Sequence, residues 1–82
     1  MAYETTYTAD QMRELSASLD ALLGMGVLSD RDEKLAQSMK EKFGRMVHSM
    51  ERAGRTGGVI VPMTEDEYMF MQGIHEAVWR QG

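Results

Sequence analysis

The sequence predicts an all-α protein: a small three-helix bundle, made of a helical hairpin and a third helix joined to it by an extended GGVIVP loop. Three observations carry this. Three segments open with helix-capping signatures. Each is followed by apolar residues at helical spacing. Glycines stand where the first two helices should stop. With 82 residues the chain has room for one domain and not two, so residues 1–82 are read as a single helical domain.

The first start is Tyr7-Thr8-Ala9-Asp10-Gln11-Met12. Thr8 is the expected N-cap and Gln11 its N3 partner in a capping box, while Tyr7 and Met12 are placed for a hydrophobic staple. Met12, Leu15, Leu19, Leu22 and Leu23 form the stripe, and Gly24 and Gly26 end a helix expected near 9–23. The second start is Leu28-Ser29-Asp30. Ser29 caps, and Asp30, Asp32 and Glu33 suit the positive end of the helix dipole. Leu35, Met39, Phe43, Met46, Val47 and Met50 extend this helix over 30–53. Gly44 in its middle costs about 1 kcal/mol relative to Ala and marks either a close helix crossing or a bend.

The third start, Met63-Thr64-Glu65-Asp66-Glu67-Tyr68, repeats the first. Thr64 caps, Glu67 is at N3, and Met63 and Tyr68 are the staple pair of a helix over 65–80. Its core stripe is expected to be Phe70, Met71, Ile74, Ala77 and Val78. The short Gly24–Leu28 connection makes the first two helices an antiparallel hairpin. Residues 54–63 are expected to be non-helical. Val59-Ile60-Val61 is too short for a strand of its own and reads as a loop laid over the open end of the core; the alternative is an exposed edge that pairs with a partner strand.

Composition excludes several classes. Cysteine is absent, so no disulfide or thiolate metal site holds the fold. No apolar run approaches the roughly 20 residues of a membrane span, and MAYETTYTAD has no signal-peptide core, which predicts a soluble, cytoplasmic protein with no membrane partner. The net charge of −4 is uneven: residues 1–33 carry −5, residues 34–55 carry +4, and residues 56–82 carry −3. A basic helix neutralised between two acidic ones is the simplest arrangement; a charged partner on one of these faces is the other.

No catalytic group assembles. The serines lack a strained glycine elbow, Gly57-Gly58 is not followed by a phosphate-loop lysine, and His48 and His75 have no metal-ligand spacing. Asp30-Arg31-Asp32-Glu33 lacks the alternating ligands and central Gly of a calcium loop. Met46, His48 and Met50 do not make a soft-metal site, because residues two apart on a helix point away from each other. The nine methionines read mainly as gap fillers in an irregular core. The expectation is a protein that is not an enzyme and holds no cofactor or metal.

Helix 3 carries a second stripe beside its core one. Tyr68, Gln72, His75 and Trp79 recur at i, i+4, i+7 and i+11, with Glu65 and Glu76 flanking them. Two aromatic rings on an extra face either cap the ends of the core or anchor a partner, since Trp and Tyr are enriched at binding hot spots. The basic second helix offers a rival reading as a DNA-binding element, but its first turn is acidic where a helix-turn-helix would enter the groove. The sequence therefore predicts a protein-binding protein that uses Tyr68, Gln72, His75, Trp79, Glu65 and Glu76. Its partner is a protein target, such as a nucleic-acid-binding complex whose basic groove the acidic faces occupy, or a second copy in a homodimer. Size and acidity associate such chains with phage-encoded inhibitors of host machinery, including anti-CRISPR proteins. A DNA-binding regulator and a structural homo-oligomer are the rivals.

Overall fold

Each helix begins at the capping residue the sequence supplies. In the computed structural model, which describes residues 3–80, the order is β1 (Tyr3–Tyr7), α1 (Ala9–Met25), α2 (Asp30–Ala53), β2 (Val59–Met63) and α3 (Glu65–Trp79). Thr8 and Thr64 close full capping boxes with Gln11 and Glu67, and Ser29 accepts from the Asp32 N–H. α1 runs two residues beyond the expected stop. Gly24 stays helical and Gly26, at φ 66°, is the left-handed terminator, as Gly54 is for α2 at φ 63°. Gly44 marks no close crossing, because a Cβ built on it would meet nothing within 4 Å.

The fold is mostly α, and the all-α expectation needs one correction. Residues 3–7 and 59–63 form a two-stranded antiparallel sheet, with Tyr3 opposite Met63, Thr5 opposite Val61 and Tyr7 opposite Val59. Val59 and Val61 do cover the core, but as a strand paired within the chain. Both segments alternate: Tyr7, Val59, Val61 and Met63 are buried, while Glu4, Thr6, Ile60 and Pro62 are exposed. Pro62 has no N–H to give to a ladder. The hydrogen-bonded pairs are therefore Tyr3–Met63, Thr5–Val61 and Tyr7–Val59, and the backbone groups of Glu4, Thr6, Ile60 and Pro62 turn outward. Gly58 lets the strands close up, since a Cβ there would lie 2.7 Å from Thr6 Cγ2.

The core lies among the three helices and the inner face of this ribbon. Met12, Leu15 and Leu19 of α1 meet Ala36, Met39, Phe43 and Met50 of α2, roofed by Tyr7, Val59, Val61 and Met63. On α3 only Met71 and Ile74 of the expected stripe are buried; Phe70 and Val78 are half-buried and Ala77 is exposed. The position the stripe lacked is taken by Glu67, only 4% exposed. No helix among the described residues is long and apolar enough to cross a membrane.

Candidate partner-binding face of the third helix

α3 brings Tyr68, Gln72, His75 and Trp79 onto one face, as its period requires. β1 runs alongside that face and covers its inner side. The Tyr3 and Tyr68 rings lie with centroids 5.0 Å apart. Four residues on, Tyr7 Oη is 2.6 Å from His75 Nε2. The His75 and Trp79 rings stack at 4.9 Å and 15°. Tyr68 and His75 are half-buried, Gln72 is exposed, and Trp79 keeps 38% of its surface. Glu65 and Glu76 are exposed beside them; Glu76 makes a loose 3.4 Å pair with Arg80.

Burial sets the protonation of the inner edge. It pushes the Tyr7 phenol up to about 12 and lowers the His75 imidazole below its ordinary value. At neutral pH both groups are uncharged. Their hydrogen bond works in either sense: the Tyr7 O–H donates to a bare Nε2, or a protonated Nε2–H donates to Tyr7 Oη. Phe43 meets the Tyr7 ring edge-on at 5.1 Å and fixes its position. Trp79 is thus held through His75 and Tyr7 by the core itself, a rigid presentation for an exposed aromatic ring.

A polar hub escaped the sequence reading. Glu67 was expected only as a capping residue. Its carboxylate also accepts from Lys42 Nζ at 2.9 Å and from Ser38 Oγ at 2.7 Å, while Lys42 Nζ also donates to the Pro62 carbonyl at 2.8 Å. Burial alone raises the Glu67 carboxyl, but donors from Thr64, Ser38 and Lys42 outweigh it and hold the group below the usual carboxylate range. The hub joins α2, β2 and the start of α3, so it sets the position of the α3 face. The available signal was the Lys42–Glu67 charge pair, but nothing in the sequence singles it out from the other pairs possible.

The basic second helix is answered only in part within the chain. Lys40 pairs with Asp20 of α1, Glu51 with Arg13 of α1, Arg31 with Asp66 of α3, and Lys42 with Glu67. Lys34, Arg45, Arg52 and Arg55 carry no ion pair among the described residues. The described residues contain no cluster of three His, Asp or Glu side chains that could hold a metal ion. Comparison with protein-family models, with curated proteins and with solved structures finds no match for this chain.

Proposed function

We propose that this chain is a non-enzymatic protein-binding protein that works through the α3 face, a small acidic phage-type inhibitor of host machinery (anti-CRISPR-like) that acts by occupying its partner's surface. The observation that carries this is Trp79: 38% exposed, stacked on His75, and anchored through Tyr7 to the core. A rigid, partly exposed Trp is what an interface uses as its central anchor. Exposed Glu65 and Glu76 supply a polar rim and steer a basic partner surface. The partner is a protein with a basic surface, such as the nucleic-acid groove of a larger complex, whose field attracts acidic groups.

The test is Trp79→Ala. As an interface residue, its loss leaves the melting temperature of the monomer nearly unchanged and abolishes target binding. Melts of both proteins at concentrations about a hundredfold apart separate monomer unfolding from lost association. A large, concentration-independent drop in melting temperature would place Trp79 among the core residues and end this reading.

A further inference from the structure

β1 has a free edge, and it lies beside the α3 face. Glu4 and Thr6 turn their N–H and C=O groups away from β2, both residues are exposed, and no other backbone bond to them exists among the described residues. The opposite edge of the ribbon offers less: Pro62 has no N–H there and its carbonyl is taken by Lys42, which leaves Ile60 as the one residue of β2 with both groups outward. The β1 edge, with two such residues, is the better place to add a strand.

α3 runs parallel to that edge. Tyr3 meets Tyr68 and Tyr7 meets His75, so four residues of strand travel with seven of helix. At about 3.3 Å per strand residue and 1.5 Å per helical residue these are comparable lengths, roughly 13 and 11 Å. The edge of β1 and the ring-bearing face of α3 therefore run side by side, with backbone donors and acceptors on one and the rings of Tyr68, His75 and Trp79 on the other. Exposed acids flank this strip, Glu4 on the strand side and Glu65 and Glu76 on the helix side, with Glu76 loosely paired to Arg80.

Resting on the reading of α3 as the working face, we infer that the β1 edge beside that face binds an extended, basic segment of the partner protein as a third strand. Strand addition satisfies the outward groups of Glu4 and Thr6. Alternate side chains of the segment then point at the rings, the intervening Lys or Arg side chains lie on the opposite face of the strand beside exposed Glu4, and Glu65 and Glu76 steer the basic segment in. A second copy of β1 is the poorer occupant, because it would bring its own Glu4 to an edge already flanked by acids.

The probe is a capped peptide of roughly ten residues that alternates lysine and valine, long enough for one strand. Trp79 is the sole tryptophan, so its emission reports binding directly. Saturable binding is expected, with new hydrogen-exchange protection at Glu4 and Thr6. Thr6→Pro removes an outward N–H without touching the β1–β2 ladder and should weaken binding by about tenfold or more with the melt retained. The same peptide N-methylated at alternate residues should fail against the unaltered protein, which keeps the test independent of any variant's folding. A peptide alternating glutamate and valine should not bind. No saturable change, equal binding by the glutamate peptide, or indifference to both Thr6→Pro and N-methylation would overturn the inference. So would a dimer of the protein alone that Thr6→Pro dissociates. If Trp79→Ala abolishes binding of a protein target while Thr6→Pro does not, the α3 face stands and strand addition falls.

Discussion

Tyr7 and His75, 68 residues apart in sequence, share a 2.6 Å hydrogen bond beneath the ring of Trp79. That bond ties the first strand to the last helix, and it joins two groups whose titration burial moves in opposite directions. Its dependence on pH follows. His75 titrates lower in the folded chain than in the unfolded one, so the unfolded state binds the proton first on acidification. Its contribution is complete above the ordinary histidine value near 6.5 and is lost as pH falls through the lower folded value. Tyr7 ionises near 10 when unfolded and near 12 when folded, so its contribution is complete below 10 and is lost as pH rises through 12. Chemical denaturation across pH should show a plateau between these limits, with an alkaline loss of at most about 3 kcal/mol from Tyr7. Tyr7→Phe should lower the plateau by about 1–2 kcal/mol and remove that alkaline loss. An alkaline limb unchanged in Tyr7→Phe would assign it to other groups.

The Glu67 hub predicts an asymmetry between its two partners. Lys42→Met leaves a carboxylate that is 4% exposed without its cation, which costs about 3 kcal/mol or more. Glu67→Gln keeps the shape and an acceptor for the Thr64 N–H, and Lys42, with 23% of its side chain exposed, can turn to water. Its cost should be smaller, about 1–2 kcal/mol. Urea melts of both variants measure the difference. Because Glu67 titrates below its ordinary value, its contribution is present above pH of about 4.3 and lost as pH falls below it. Glu67→Gln should flatten that acid limb.

Two glycine substitutions should move stability in opposite directions. Gly44 sits inside α2 with open space around its missing Cβ, so Gly44→Ala should stabilise by about 0.5–1 kcal/mol. Gly26 terminates α1 at φ 66°, where a Cβ is strained, and Gly26→Ala should destabilise by about 1 kcal/mol. Thermal melts suffice. Destabilisation by Gly44→Ala would show that α2 needs its glycine for something beyond the monomer fold, a partner's close approach being the first candidate.

What the sequence made legible was local. Thr8, Ser29 and Thr64 each sit within three residues of the groups they cap, so the helix starts could be read from short windows. The sheet could not. Tyr3-Glu4-Thr5-Thr6-Tyr7 alternates with period two, but five residues beside a strong capping box are overshadowed by the helix they precede. Their partner strand lies more than fifty residues away, across two helices. Burial of Glu67 was hidden for the same reason: Ser38 and Lys42, which make it tolerable, are 29 and 25 residues upstream. The face of α3 was legible as a stripe. That β1 covers its inner side was not, because that depends on the same long-range pairing.

The last prediction concerns nucleic acid. α2 is the one basic element, and its charge is partly spent: Lys40 on Asp20 and Lys42 on Glu67. Of the cations without an ion pair among the described residues, Arg45, Arg52 and Arg55 cluster toward its C-terminal end and Lys34 lies in its first half, while Asp30, Asp32 and Glu33 crowd its N-terminal end. A helix that enters a groove by its N-terminus would bring those acids against phosphate. Four such cations on a chain of net charge −4 support only weak contact through released counterions. Duplex DNA should therefore bind no tighter than about 10⁻⁴ M at physiological salt, the weak end of non-specific affinity. Fluorescence anisotropy across a salt series measures this. The informative variant is Arg45→Glu with Arg52→Glu, because substituting Lys40 would also break its pair with Asp20 and confuse affinity with stability. Micromolar binding with a steep salt dependence, lost in that double variant, would make α2 the working element and the α3 face a structural one.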